Sequence, residues 1–327
     1  VEQKTWVIAT GFPEPIDSLR RNRAQDRARW MIDQIQSRPE SQITMCSAEW
    51  SAEQSRIEVK DSIQAAIELI NAGDAFQTNI TQRFIAQKPK NTTPWDLFLQ
   101  LRKTLPSPFG AYVAGSSKFH VLSASPERFL QATRHGSVET RPIKGTRPRH
   151  KDPATDRQLA GDLAQSPKDN AENLMIVDLK RNDISRVCES GSVNVPQCCK
   201  VETFARVHHL VSVVTGELSA DKSAIDLLRA CFPGGSVTGA PKVRAMEIIH
   251  ELEPSARGPY CGAIAWIGFD GAMDSAIVIR SLIVDDDQVI AQAGGGIVAD
   301  SDPSLEYEEA MVKLRPLLPV LDPTATI

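Results

Sequence analysis

The chain has 327 residues, a hydrophobic fraction of 41% and a formal net charge of −4. That length suits two domains or one large one, and dispersed Lys and Arg under a weak negative charge speak against a nucleic-acid partner. No apolar run reaches the roughly 18 residues that span a membrane. The six cysteines show neither CxxC nor zinc-site spacing, which predicts reduced, buried thiols in a cytoplasmic protein.

The N-terminal region gives weak signals. We interpret residues 1–45 as the remnant of an N-terminal region and residues 46–327 as one domain. An arginine-rich stretch through Met31 and Ile35 favours a surface helix. The first residue is valine rather than methionine, which is consistent with a piece of a longer chain.

A capping box is predicted at Ser51, with Gln54 three residues later. A helix should run from there to about Asn71 and end at Gly73. The next segment, residues 76–84, alternates apolar and polar residues, which predicts a strand. Such a polar face is either solvated or lines a polar pocket, and the pattern leaves both open. The face carries Gln77, Asn79, Thr81 and Arg83.

Short strands are predicted in the middle of the chain, with a hairpin turn at Gly136. Glu127 begins one of them, and Lys144 ends a strand of the same expected meander. If these strands are neighbours, the carboxyl and the amine face one site. The predicted strands cover residues 110–114, 119–124, 127–133 and 137–143.

A stiff segment, Arg141–Pro148, holds the single amine of Lys144 between two prolines and Gly145. A lysine becomes a nucleophile when burial or nearby cations depress its pKa. Arg141 and Arg147 are candidates for such cations. The alternative is an ordinary solvated loop lysine.

Two helix starts each carry a pair of acids three residues apart. Ser166-Pro167 and Asp302-Pro303 are typical N-terminal signals. Acids there can simply complement the helix dipole. If the two helices face each other, their carboxylates also suit Mg²⁺, because no histidine or cysteine accompanies them. The acids are Asp169, Glu172, Glu306 and Glu309, and Lys313 follows the last by four residues.

The glycine-rich stretch Phe232–Lys242 is predicted to open a helix with Pro241 at its first position and to present free amides to an anion. It lacks the Walker spacing. Gly294–Gly296 is predicted to be a second flexible turn with exposed amides.

Arg280 lies in an apolar run and, if buried, needs an anionic partner. Long antiparallel strands are predicted over residues 260–268, 274–285 and 288–293, and a further strand begins at His208 and His209.

At this point the motifs resemble those of the chorismate-utilising enzymes, over residues from about 50 to 320. The family includes anthranilate, aminodeoxychorismate, isochorismate and salicylate synthases. The matching segments are Ser125–Arg128, Pro142–Thr146, Ala171–Leu179, His209–Ser212, Gly239–Lys242 and Gly294–Val298. Within the family, Lys144 and the segment Phe232–Ser236 are similar to the members that aminate chorismate at C4. Members that make anthranilate carry alanine at the place of Lys144.

The resemblance implies an α+β fold in which two mainly antiparallel β-sheets pack together, flanked by helices, with the site in a cleft between them. It also implies catalytic roles. Lys144 attacks C2 of chorismate, Glu127 protonates the leaving C4 hydroxyl, and ammonia then attacks C4. His209 lies near that end of the ring. In members that add water, a lysine at the place of Gln77 acts as general base, so Gln77 is expected to select ammonia.

The resemblance further implies a Mg²⁺ cofactor on Glu172 and Glu309, with Asp169 and Glu306 in support. The expected partners are chorismate and a glutamine amidotransferase subunit that supplies ammonia. The alternatives are an anthranilate synthase component and a non-catalytic chorismate-binding or amidotransferase-docking protein. The N-terminal part of the family, with its tryptophan pocket, is largely missing here. The expected substrate-binding residues are Thr238, Gly239, Ala240, Tyr260, Arg280, Gly294, Gly295 and Lys313.

Overall fold

The computed structural model describes residues 6–37, 47–205 and 207–322. The chain divides into two compact units, residues 1–44 and 45–327. In the smaller unit, helix α1 (Asp17–Ser37) confirms the predicted surface helix, and none of its residues is buried. Arg27 braces this unit by donating from Nη1 to the carbonyls of Thr10 (2.9 Å) and Phe12 (2.8 Å). Its interpretation as a remnant stays a prediction.

The larger unit contains two seven-stranded sheets, and every strand pair in them is antiparallel. The strands of the first sheet are β1 (Trp50–Ala52), β2 (Gln77–Gln87), β3 (Phe109–Ala114), β4 (Phe119–Ser125), β10 (Gly239–Ala240), β13 (Ser281–Asp285) and β14 (Gln288–Ile297). Their order is β1-β2-β14-β13-β4-β3, with β10 also paired to β2. The central strand β2 is therefore buried on both faces, so its polar face is not solvated.

The second sheet is built from β5 (Arg128–Ala132), β6 (Ser137–Thr140), β7 (Ile143–Pro148), β8 (Asn194–Thr203), β9 (Val207–Glu217), β11 (Ala263–Ile267) and β12 (Met273–Ile277). Their order is β11-β12-β5-β6-β9-β7, with β8 also paired to β9. An apolar cluster joins the two sheets, because Val121 and Ile283 of the first sheet contact Val278 and Ile264 on the side of the second. The predicted α+β architecture of two packed sheets is confirmed.

Helices cover the sheets. In the larger unit they are α2 (Arg56–Asn71), α3 (Pro94–Thr104), α4 (Pro153–Gln165), α5 (Pro167–Ser185), α6 (Ala224–Cys231), α7 (Lys242–Leu252) and α8 (Pro303–Leu314). Met311 and Leu314 of α8 pack into the core of the first sheet. Val177 and Ile184 of α5 pack into the core of the second. The two acid-bearing helices thus belong to different sheets.

Two element predictions were wrong at their boundaries. Helix α2 is capped by Ser55 with Glu58 in a full capping box, because Ser51 is taken up by strand β1. The predicted strand 274–285 is two strands, β12 and β13, and the chain changes sheet between them. Arg280 makes that change possible with a φ of 51°, so it does not lie inside a strand.

Two further predictions concern residues of the site. Gly294–Gly296 is not a flexible turn, because all three residues belong to β14 and pair with β2. Lys144 does not end the strand after Gly136. That strand, β6, ends at Thr140, and Lys144 is the second residue of the next strand, β7, which begins at Ile143. All five described cysteines are free, as predicted. Their burial differs from the prediction, because Cys198 is exposed. No helix in the described ranges combines the length and apolarity needed to cross a membrane.

Candidate active site

Lys144 lies at the start of β7, where the strand pairs with Leu210 of β9. Its Nζ is 3.3 Å from Glu172 Oε2, and the two side chains are only 14% and 15% exposed. It is therefore not a solvated loop lysine. Gly145 holds this arrangement with a φ of 75°, and a Cβ there would lie 2.8 Å from Asp169 Cγ. The glycine serves close packing of β7 against α5.

The two arginines beside Lys144 do not act as its neighbouring cations. Arg141 Nη2 donates to Glu202 Oε1 at 2.6 Å, and Arg147 Nη2 lies 3.1 Å from Asp169 Oδ2. Each positive charge is already paired with a carboxylate. The charged group that Lys144 itself faces is an acid, so the predicted cationic setting is wrong.

The two predicted acid pairs lie near one another. Lys168 Nζ is 3.4 Å from Glu306 Oε1 on α8 and 4.0 Å from Glu172 Oε1 on its own helix. Gly295 of β14 lies under the second pair, since a Cβ there would be 3.2 Å from Glu306 Oε2 and 3.7 Å from Glu309 Oε1. The N-terminal turns of α5 and α8 thus place their carboxylates around one pocket.

Lysines balance the charge of these acids. Lys313 Nζ donates to Glu309 Oε1 at 2.6 Å and to the Gly294 carbonyl at 2.9 Å. Burial alone would raise the pKa of Glu309, but Lys313 and Lys168 outweigh burial and leave that pKa lowered. Glu309 is therefore held as a carboxylate, as metal binding requires.

The donor set suits a hard divalent ion, because it offers carboxylate oxygens alone. Within the described ranges, however, no group of three or more His, Cys, Asp or Glu side chains is close enough to hold a metal. The lysines now occupy the space between the acids. The four carboxylates fit such an ion in type and lie around one pocket, but they would have to move together and exchange lysine contacts for metal contacts.

Glu127 directly precedes β5, and its Oε1 accepts a hydrogen bond from Ser236 Oγ at 3.3 Å. Burial raises the pKa of the Glu127 carboxyl, against the opposing positive charges of Lys180 and Lys144. The strands of Glu127 and Lys144 are not neighbours, since β6 and β9 lie between β5 and β7. The condition on which a shared site was predicted is therefore not met, although the charge of Lys144 still acts on the Glu127 carboxyl.

His209 lies on β9 opposite Thr146, and its Nδ1 is 2.9 Å from Thr146 Oγ1. Burial lowers the pKa of His209, while a hydrogen bond with the Gly145 backbone opposes the shift. The imidazole is thus neutral at pH 7. A neutral imidazole can accept a proton or hydrogen-bond a hydroxyl.

Gln77 is 0% exposed, and neither atom of its amide has a hydrogen-bond partner within the described part of the chain. Its Nε2 would be 2.8 Å from a Cβ at Gly296. A buried amide without partners costs free energy. Gln77 therefore offers an unused donor and acceptor beneath β14.

The glycine-rich stretch is folded onto β2 and is less open than predicted. Its β10 residues pair with Thr78 and Gln77, and Phe76 and Asn79 donate to the carbonyls of Ala240 and Thr238. Thr238 Oγ1 donates to the Gly234 carbonyl at 2.9 Å. Pro241 caps α7 and does not occupy its first turn. Gly239 needs its φ of 144°, because a Cβ there would lie 2.1 Å from the Gln77 carbonyl oxygen.

Arg280 reaches α8 by donating from Nη1 to the carbonyl of Lys313. Burial lowers the pKa of Arg280, against the opposing negative charge of Glu309. Burial also raises the pKa of Tyr260 well above its usual value, so this phenol stays neutral. The hydrogen bond of Arg280 is thus to a backbone carbonyl, and its guanidinium sits close enough to Glu309 and Lys313 to share their pocket.

Three residues in or near the pocket were given no role from the sequence. Lys168 bridges the acid helices, Ser236 hydrogen-bonds Glu127, and Lys180 is a buried cation whose charge acts on Glu127. The signal for Lys180 was present, because it falls on the inward stripe of α5. That stripe consists of Asn173, Ile176, Val177, Lys180, Asp183 and Ile184.

The sheets and the pocket of acids, lysines and glycines define an enzyme-like cleft that suits a small carboxylate. Residues 4–319 match the family model described as chorismate binding enzyme, and the chain belongs to this family. It is 48% identical over 298 residues to aminodeoxychorismate synthase component 1 of Klebsiella aerogenes, covering 91% of this chain and 65% of the relative. It is 46% identical over 269 residues to anthranilate synthase component 1 of Streptomyces coelicolor, covering 82% of this chain and 52% of the relative.

A solved structure supports the same assignment. Anthranilate synthase component I from Streptococcus pneumoniae superposes with a TM-score of 0.81 at 34% identity, covering 91% of this chain and 66% of that one. The chain spans about two thirds of the length of both the Klebsiella relative and this solved structure. Activity, substrate and partners are therefore addressed as proposals.

Proposed function

We propose that this chain is the chorismate-aminating component of an aminodeoxychorismate synthase. It converts chorismate and ammonia to 4-amino-4-deoxychorismate, a precursor of p-aminobenzoate and folate. The observation that carries the proposal is Lys144, an amine inside the acidic pocket where a solvated loop lysine was the alternative. The relatives with the name aminodeoxychorismate synthase component 1 support it at 44–48% identity.

The proposed chemistry uses groups that the pocket brings together. Lys144 is paired with Glu172 as an ammonium, so it first loses a proton to solvent. The neutral amine then forms a bond to C2 of chorismate while the ring double bonds shift and the C4 hydroxyl leaves. Glu127 gives that hydroxyl its proton, which suits a carboxyl whose pKa burial has raised. Ammonia then bonds to C4, the double bonds shift back, and the lysine amine leaves. His209 lies near the C4 end and accepts a hydrogen bond there.

The remaining residues hold the substrate. Gln77 is the unpartnered amide that meets the incoming ammonia. Arg280, Tyr260 and Lys313 hold the enolpyruvyl side chain. The ring carboxylate is taken by the amides of Gly239, Ala240 and Gly295. Thr238 and Gly294 are further substrate-binding residues of the same two segments.

Mg²⁺ belongs to the same proposal. Glu172 and Glu309 would hold the ion, with Asp169 and Glu306 in support. When bound, the ion would neutralise a substrate carboxylate and polarise it. Ammonia would come from a glutamine amidotransferase subunit, in keeping with the word component in the relatives' names.

The decisive experiment is turnover of chorismate with ammonium and Mg²⁺, with products separated by chromatography. We expect aminodeoxychorismate, which keeps its enolpyruvyl group. Absence of turnover with any nitrogen source, while chorismate still binds, would favour a non-catalytic binding protein instead.

The second candidate is an anthranilate synthase component, favoured by the 46% identity to the Streptomyces coelicolor relative. The two activities differ in whether pyruvate is lost. Fluorescent anthranilate and free pyruvate as the main products would therefore replace the first proposal by the second.

A further inference from the structure

Lys180 is a buried amine that the proposed chemistry does not use. It is 2% exposed in the middle of α5, and its Nζ has no hydrogen-bond partner in the described part of the chain. Its position eight residues after Glu172 puts it roughly 12 Å further along the helix, at 1.5 Å per residue. It is therefore separate from the acid pocket at the N-terminal turns.

The contacts of Lys180 point toward Glu127. Its Nζ lies 4.3 Å from the ring centroid of Phe129, two residues after Glu127 in the chain. The same ring packs on the glycine-rich stretch, since a Cβ at Gly234 would be 3.3 Å from it. Ser236 of that stretch hydrogen-bonds the Glu127 carboxyl. The ammonium thus packs on an aromatic ring next to the strand start that carries Glu127, and its charge acts on that carboxyl.

The other charged groups around Lys180 are already occupied or neutral. Asp183 is paired with Lys242 at 2.7 Å and with Arg186 at 3.1 Å. Burial raises the pKa of the Cys231 thiol to about 12, so it carries no charge near neutral pH. Among the charges that act on Lys180, Glu127 is the acid without a close ion-pair partner of its own.

Glu127 meets positive charge from three elements. Lys180 approaches from α5, Lys144 from β7 and Lys313 from α8, and Lys180 has the largest effect of the three. Lys144 and Lys313 are also committed to Glu172 and Glu309. Of these three cations, Lys180 is therefore the one that has no other acid as a close ion-pair partner.

We propose that Lys180 is a positioning residue that acts as the buried counter-charge of Glu127 and makes its carboxyl a proton donor matched to neutral pH. This inference rests on the proposed function of Glu127. A carboxyl that is only desolvated holds its proton too tightly to be an efficient acid. A nearby ammonium favours the carboxylate that remains after proton transfer. Because Lys180 does not touch the substrate pocket, it acts through Glu127.

An unpaired buried ammonium is costly, which separates this role from a structural one. Burial lowers the pKa of Lys180, as expected for a charge taken out of water. Replacement by methionine, which has a similar shape, removes that desolvation cost. If Lys180 serves the structure, its replacement lowers the melting temperature. If Lys180 serves Glu127, its replacement should raise the melting temperature.

The test is a titration of Glu127 by infrared difference spectroscopy in the whole chain. The C=O band of the protonated carboxyl is assigned by its loss in Glu127→Gln. In Lys180→Met we expect that band to persist to higher pH by roughly one unit, the low end of the effect of a neighbouring cation. The melting temperature should rise. Lys222→Met, at an exposed lysine paired with Asp221, controls for net charge and should change neither measurement.

A second measurement follows the chemistry. The limb of the pH profile of kcat/KM on which Glu127 loses its proton should move to higher pH in Lys180→Met. If the chain turns out not to aminate chorismate, the infrared titration still tests the coupling by itself. Unchanged titration of the Glu127 band in Lys180→Met overturns the inference. If that variant does not fold, the same titration on Lys180→Gln decides.

Discussion

Replacement of Lys144 by alanine tests the centre of the proposed mechanism. If this amine forms the bond to C2 of chorismate, the variant should lose at least about 10²-fold in amination rate, the low end for losing a positioned catalytic group. That factor corresponds to about 2.7 kcal/mol of transition-state stabilisation. Lys200→Ala is the matched control, because Lys200 is an exposed strand lysine of the same sheet.

The structure also limits what the substitution does to stability. Breaking a fully buried ion pair costs about 3–5 kcal/mol. The pair of Lys144 and Glu172 is about 15% exposed on each side, and Glu172 keeps Lys168 at 4.0 Å. We therefore expect a loss of only about 1–2 kcal/mol, because the remaining lysine and solvent screen the carboxylate. The rate loss should thus greatly exceed anything that partial unfolding explains.

The assay has two parts. Initial rates are measured with chorismate, ammonium and Mg²⁺, and urea unfolding gives the stability of the same samples. Mass spectrometry of parent enzyme incubated with chorismate in the absence of ammonia should show an adduct on the peptide that contains Lys144. Full activity of Lys144→Ala, together with no adduct in the parent, would refute covalent catalysis by this residue.

The other predictions address the metal, the nucleophile, the acid and the backbone. Glu309→Gln should weaken the apparent Mg²⁺ affinity of turnover, and chelation should abolish it; normal turnover in EDTA would exclude the metal assignment. Gln77→Lys should raise hydroxylated products such as isochorismate and lower amination, whereas an unchanged product ratio by chromatography would move nucleophile selection elsewhere. Burial raises the pKa of Glu127 in the folded state, so the stabilising contribution of Glu127 is complete below its unfolded pKa and is lost as pH rises through its folded pKa. Glu127→Gln should flatten that part of the stability-versus-pH curve. An unaltered slope in Glu127→Gln would contradict this prediction. Gly145→Ala should cost about 1–2 kcal/mol from its φ of 75° alone, plus displacement of Asp169, and urea unfolding at parent stability would contradict it.

Local signals predicted much of the fold. Ser166-Pro167 and Asp302-Pro303 begin α5 and α8 as expected, because side-chain caps and proline act within one turn of the chain. The strand that carries Gln77 followed from its alternation. These elements were predictable because their determinants lie within a few residues of one another.

The errors arose where partners distant in sequence decide the structure. Ser51 is a plausible helix cap by sequence, but it lies in β1 and pairs with β2. Ser55 caps the helix instead. The run 274–285 carries two apolar stretches, 276–279 and 282–284, that read as one strand, and only the packing of two sheets requires the chain to turn at Arg280. Gly294–Gly296 are glycines because β2 and the acids of α8 leave no space for a Cβ. A single sequence does not contain that spatial information.

The same distinction explains which site residues were found. Asp169, Glu172, Glu306 and Glu309 stand out because each pair shares one helix turn, whereas Lys180 is marked in the sequence only by its place on the inward stripe of α5. Folding alone would favour apolar residues at buried positions such as Gln77 and Lys180, because both leave polar atoms without partners. Unsatisfied groups of this kind are few in a folded chain and concentrate where chemistry is performed. Gln82 and Arg83 of β2 also carry such an atom, so only the two groups that meet proposed site residues indicate a reactive site. Gln77 lies beneath β14, and the charge of Lys180 acts on Glu127.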